Sequence, residues 1–136
     1  MSVANYLQTG VPIVLNLSGT AANGTYYYNG QTPNNQLITN ARQVSISASN
    51  LYKTAWVYAQ TWGGATVLIN TCPDEIITTN PSIAPWLQEK DDQGNSSWTA
   101  NYHWNEWVQG NLWWQVVVSG ATSATSNLTV RLNFGV

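Results

Sequence analysis

Charge is what this sequence has least of. Four basic and six acidic side chains make only 7% of its 136 residues charged, against about 25% in ordinary soluble chains. So few lysines and arginines leave no basic footprint for nucleic acid, and no partner of that kind is expected. The polybasic segment that draws proteins to anionic lipid is missing as well. A single cysteine, Cys72, excludes an internal disulfide and reads as a small core residue. With one histidine, His103, beside that one cysteine, no paired metal-ligand spacing exists. Neither a metal nor a cofactor is expected.

Long apolar runs are also lacking. None reaches the roughly 18 residues of a membrane span. Residues 1–5 show no basic region leading into an apolar stretch, so no leader is visible. The expectation is a secreted protein, either a mature form carrying an added Met1 or one made without a leader. No repeat, linker or charge block divides the chain, and its length fits a single domain over 1–136.

Catalytic patterns are sparse. A Ser-His-Asp arrangement would have to use His103 with Asp74, Asp91 or Asp92, and no Gly-x-Ser-x-Gly turn is present. Glycosidase chemistry needs two carboxylates at a set separation; Glu106, with Asp74 or Glu75 as partner, is the best available pair. No glycine loop that cradles phosphate precedes a helix. The chain is read as a non-enzyme.

What is abundant is amide and indole. There are 16 asparagines and 8 tryptophans, with 7 tyrosines beside them. A surface with so little charge must be built from Asn, Gln, Ser and Thr, and it suits neutral ligands read by hydrogen bonds. Eight indoles exceed what a core of this size needs. Four Asn-x-Ser/Thr triplets, at Asn16, Asn23, Asn95 and Asn127, are the number such a composition produces by chance. In composition alone the chain resembles small lectins and membrane-active proteins such as the aegerolysins; no motif carries that likeness, and it transfers no residue.

Period-two alternation dominates. Val11, Ile13, Leu15 and Leu17 form one apolar side, Val44, Ile46 and Ala48 another, and Leu128, Val130, Leu132, Phe134 and Val136 a third. Asn23-Gly24, Asn29-Gly30 and Gly63-Gly64 punctuate these runs as tight turns. The predicted fold is all-β: an antiparallel β-sandwich, Greek-key or jelly-roll-like, of about eight to ten short strands. A two-residue turn at Gly63-Gly64 would place Trp56, Tyr58, Trp62, Val67 and Ile69 on one core face. The Glu89-Lys90-Asp91-Asp92 cluster reads as a solvated loop.

Residues 97–119 are the most informative. Trp98, Ala100, Tyr102 and Trp104 alternate with Asn101, His103 and Asn105, and Leu112, Trp114, Val116 and Val118 alternate with Trp113, Gln115 and Val117. A three-residue turn at Gln109-Gly110-Asn111 would make these a hairpin with one clean apolar face. Its other face would set Trp107 across from Trp113, Asn105 from Gln115, His103 from Val117 and Asn101 from Ser119. That patch suits a glycan: indoles stack on the C–H face of a pyranose, while Asn101, Asn105, Gln115 and His103 bond its hydroxyls.

The expected function is therefore lectin-like binding of a neutral glycan or glycolipid through Trp107, Trp113, Asn105, Gln115, His103 and Asn101. Two alternatives stand beside it. One is a membrane-active or lipid-headgroup-binding protein, a cytolysin or toxin component, using Tyr26-Tyr27-Tyr28, Trp62 and Trp86 at a membrane surface. The other is a self-associating structural domain, since low charge and exposed aromatics favour a homo-oligomer.

Overall fold

The computed structural model describes residues 6–7, 13–27, 43–44, 51–72, 86–108 and 112–135. Ten strands occur among them: β1 (Tyr6–Leu7), β2 (Ile13–Leu17), β3 (Gly24–Tyr27), β4 (Gln43–Val44), β5 (Leu51–Tyr58), β6 (Thr66–Cys72), β7 (Leu87–Gln88), β8 (Tyr102–Val108), β9 (Leu112–Ser119) and β10 (Leu128–Gly135). One sheet has the order β2-β10-β5-β8, antiparallel throughout. The other is built around β9, which pairs with β6 on one side and with β3 and β4 on the other. There β7 extends the β6 edge, and β1 joins β4 in parallel. The chain passes from sheet to sheet at every connection except β3–β4 and β6–β7. These crossings, with the orders β2-β10-β5-β8 and β3-β9-β6-β7, make the sandwich a jelly roll; the alternation predicts the all-β sandwich and leaves a Greek key or a jelly roll open.

The core follows from that alternation. Leu15 of β2, Ala55 and Val57 of β5, Trp104 of β8 and Leu128, Val130 and Leu132 of β10 are buried from one sheet. Tyr26 of β3, Val67 and Ile69 of β6 and Trp114, Val116 and Val118 of β9 meet them from the other. Trp98, just ahead of β8, stacks on Trp104 with ring centroids 4.7 Å apart. Its backbone exchanges two hydrogen bonds with Val67, which closes the edge of β6 beyond β7.

Both expected hairpins are absent, for one physical reason. The Gly63-Gly64 turn does form: Ala65 N–H reaches Trp62 C=O at 3.0 Å, with φ of 59° and 91° at the two glycines. Its flanks, however, diverge into different sheets. A two-residue hairpin pairs odd with even positions, which would combine Val67 and Ile69 with Trp56 and Tyr58. The crossing instead points the odd positions of both strands, Ala55, Val57, Ala65, Val67 and Ile69, at the core from opposite sides. Trp56 and Tyr58 are then turned outward, each 38% exposed, and are not core residues. Likewise β8 pairs with β5, while β9 pairs with β3, β4 and β6. The even positions Trp104, Trp114, Val116 and Val118 all face the core, as a hairpin would also require, but from opposite sheets. The turn at Gln109-Gly110-Asn111 lies outside the described residues, as do the stretches 45–50 and 73–85.

The loops at one end of the sandwich interlock. Thr61 bridges Ser126, Gly19 N–H donates to Thr125 C=O, and Thr125 Oγ1 and Thr122 Oγ1 donate to Trp62 C=O and Gly63 C=O. The acidic loop is not uniformly solvated. Asp91 is only 7% exposed and accepts hydrogen bonds from Gln93 N–H, Asn95 N–H, Asn95 Nδ2 and Trp98 Nε1 at 2.8–3.1 Å. Burial pushes its carboxyl up, but these four bonds together outweigh that and hold it below the ordinary value.

Candidate functional site

The outer face of the β2-β10-β5-β8 sheet carries the polar half of the alternation in three strands. Backbone register sets Arg131 of β10 beside Trp56 of β5, and Trp56 beside His103 of β8. Thr129 lies beside Tyr58, and Asn133 beside Thr54, which in turn lies beside Asn105. Cross-strand neighbours on one face lie about 5 Å apart, so these side chains form a continuous surface. Between them runs an open groove of about 550 Å³. Trp56 and Tyr58 line it from the middle strand, Asn101, Tyr102 and His103 from one side, and Arg131 and Asn133 from the other.

The aromatic centre of the groove is a stacked pair. The Trp56 and His103 rings lie 4.4 Å apart, tilted by 15°. Stacking engages one face of the indole and fixes its plane.

The polar groups are held in defined orientations. Asn101 Oδ1 accepts from Ala59 N–H at 3.0 Å and from Trp62 Nε1 at 2.8 Å. Both partners can only donate, so the amide oxygen must point at them and its NH₂ is turned away. Asn133 Oδ1 accepts from Arg131 Nε at 3.2 Å, which orients Asn133 by the same logic and anchors the guanidinium. Thr54 Oγ1 donates to Asn105 Oδ1 at 2.7 Å. At the outer edge, Tyr102 OH donates to Asp92. That bond, then burial, then the charges of Asp92 and Asp91, push the phenol up to about 12.

The structure brings together part of the expected patch. Asn101, His103 and Asn105 share one exposed face at the β8 end of the sheet, and β8 continues to Trp107, whose backbone pairs with Tyr52. Gln115 is on the other sheet. It is 7% exposed there, and its Oε1 accepts from Asn70 Nδ2 at 2.7 Å. Trp113 is on that sheet too, between Gln43 and Cys72 in register. The expected pairings of Trp107 with Trp113 and of Asn105 with Gln115 are therefore not formed: the strands carrying them belong to sheets roughly 10 Å apart. The side chains of Trp107, Trp113 and Glu106 lie outside the described residues, as do Asp74 and Glu75.

Sequence reasoning missed Trp56, Tyr58, Arg131 and Asn133. The signal was present in β5 and the two residues after it, where Ala55, Val57 and Ala59 alternate with Trp56, Tyr58 and Gln60. Of the aromatic cluster suggested for a membrane surface, Tyr26 is buried, its hydroxyl donating to Ala22 C=O at 2.8 Å. Trp62 is half-buried against the core. Tyr28 lies outside the described residues.

No family model, curated protein or solved structure matches this chain. The groove's chemistry alone bears on function. Among the described residues no three His, Cys, Asp or Glu side chains gather as a metal site would require.

Proposed function

We propose that the protein binds carbohydrate, holding a glycan in the groove on the outer face of the β2-β10-β5-β8 sheet. The supporting observation is the exposed, stacked Trp56–His103 pair, which spans the inner strand β5 and the edge strand β8, flanked by oriented amides. An indole held in one plane suits the C–H face of a pyranose, and amide NH₂ groups beside it suit ring hydroxyls. This reading keeps Asn101, His103 and Asn105 from the sequence-derived patch and replaces its second strand by β5 and β10. A flat sheet surface also favours a glycan over insertion into lipid, which needs aromatics at projecting tips.

A glycan array probed with the wild-type protein and with Trp56→Ala tests the proposal. Binding by the wild type, lost in the variant with an unchanged far-UV spectrum, supports it. No glycan bound, or binding unaffected by the substitution, overturns it. Liposomes of defined lipid provide the contrasting arm: a blue shift in Trp emission with lipid and none with sugar supports the lipid-headgroup alternative.

A further inference from the structure

From the donor balance of the groove we infer that the ligand carries a carboxylate, so that the site takes an acidic sugar. The inference rests on the carbohydrate-binding reading and narrows it. The amides and the guanidinium of the groove offer donors, beside the Tyr58 and Tyr102 hydroxyls, which can also accept. The oxygens of Asn101 and Asn133 are engaged by partners that can only donate, so each presents its NH₂. Arg131 adds only donors, and Nε is the part of it already bonded. Among the described residues no carboxylate pairs with its guanidinium, in a chain with only four basic side chains.

A neutral sugar hydroxyl can accept from these donors, but it brings a proton of its own and no charge to meet the guanidinium. A carboxylate only accepts. The two remaining guanidinium nitrogens form a planar fork that matches its two oxygens. The register sets Arg131 next to Trp56, and both line the groove, so a ring stacked on the indole lies beside the strand that carries the guanidinium. The opposite rim carries Asp92, held by Tyr102. The groove is thus polarised, with the cation on β10 and the anion beyond β8, which orients a ligand with one acidic end. The same polarity, and a formal net charge of −2, work against polyanions, whose binding requires several cations.

The test uses matched pairs on the intact protein: sialylated against desialylated glycans, and uronic acid against the corresponding hexose oligosaccharides, with sulfated glycans as a third arm. The expected result is a preference of about tenfold or more for the carboxylated member of each pair. That preference disappears in Arg131→Gln and is only partly kept in Arg131→Lys, which retains charge without the fork. Unchanged far-UV spectra and unfolding midpoints report that both variants fold, and the ratio of carboxylated to neutral affinity, not either affinity alone, is the quantity read. Equal binding of both members by the wild type overturns the inference and leaves the glycan site standing. A preference for sulfate over carboxylate overturns the carboxylate assignment. Absence of binding to every glycan overturns the carbohydrate-binding reading itself.

Discussion

The imidazole of His103 lies flat against the indole of Trp56, centroids 4.4 Å apart, on two antiparallel strands in direct register. The pair holds an aromatic surface open across the inner strand β5 and the edge strand β8. Exposed stacking of this kind is worth about 0.5–1.5 kcal/mol, enough to select one indole rotamer and too little to decide whether the protein folds. His103→Ala should lower glycan affinity about threefold to tenfold, by freeing Trp56, while moving the melting temperature by only a few degrees. His103→Phe keeps a ring against the indole and should recover most of the affinity. Titration followed by Trp emission checks both. If His103→Phe binds as weakly as His103→Ala, the imidazole acts through its nitrogens and not by stacking.

Asn101 separates support from recognition. Its oxygen accepts from Ala59 and Trp62, and its NH₂ is free to meet a ligand. Asn101→Asp keeps the acceptor and removes the donor. Stability should change by less than about 1 kcal/mol, while affinity for an acidic glycan falls about tenfold through the lost bond and the added negative charge. Urea unfolding and a binding titration on the same preparation read the two effects. Unfolding at markedly lower urea would mean that the NH₂ is needed within the protein.

Alternation in this chain names the buried side of each strand and is silent on neighbours, and that limit explains both what was legible and what was not. Leu128, Val130 and Leu132 were readable as core because their partners Thr129 and Arg131 are polar. Asn101, His103 and Asn105 were readable as one exposed face for the same reason. The identity of the adjacent strand was not readable. A hairpin from β8 to β9 and a crossing between sheets bury the same even positions, Trp104, Trp114, Val116 and Val118. They differ only in whether the two polar faces adjoin or lie on opposite sides of the sandwich. Asp91 was misread because a charged cluster resembles a solvated loop until its hydrogen-bond donors are known. Arg131 could not be assigned to the groove because its neighbour, Trp56, lies 75 positions earlier in the chain.

The interlocked loops should be intolerant of side chains at two glycines. Gly63 has φ 59°, and a Cβ there would lie 2.6 Å from Thr125 N. Gly120 has φ 72°, and its Cβ would lie 2.6 Å from Gly64 O. Both contacts are with backbone atoms, which cannot swing aside. Gly63→Ala and Gly120→Ala should each cost about 2–4 kcal/mol, combining left-handed backbone strain with the clash. Denaturant unfolding checks this. A loss below about 1 kcal/mol would show that these loops yield easily.

Asp91 should set the acid limit of stability. Its folded-state carboxyl lies below the ordinary value of 3.8, so its contribution is fully present above that value and is lost as pH falls through the folded one. In Asp91→Asn the new NH₂ would confront the Asn95 Nδ2 and Trp98 Nε1 donors that Asp91 Oδ2 accepts. That substitution should cost about 2–3 kcal/mol at neutral pH and flatten the decline in stability below pH 4. Unfolding midpoints from pH 7 down to pH 2.5 for both proteins give the comparison. Parallel curves would remove Asp91 from the acid transition.

The alkaline side has its own marker in Tyr102. Its hydrogen bond to Asp92, then burial and the nearby carboxylates, raise the phenol from 10.0 to about 12. The sign is opposite to that of Asp91. The bonded phenol favours the folded state at all pH below 10, and this contribution is lost as pH rises through about 12. Asp92→Asn replaces the charged acceptor by a neutral one, so Tyr102 should ionise closer to 10. Phenolate absorbance during a pH titration reads this directly, as one tyrosine moving to lower pH in the variant. Because Tyr102 lines the groove beside His103, the same substitution removes the negative rim opposite Arg131. Affinity for an acidic glycan should then rise at neutral pH and depend less on orientation between the two ends of the ligand. A Tyr102 titration that stays near 12 in Asp92→Asn would separate the phenol from Asp92 and assign its shift to burial.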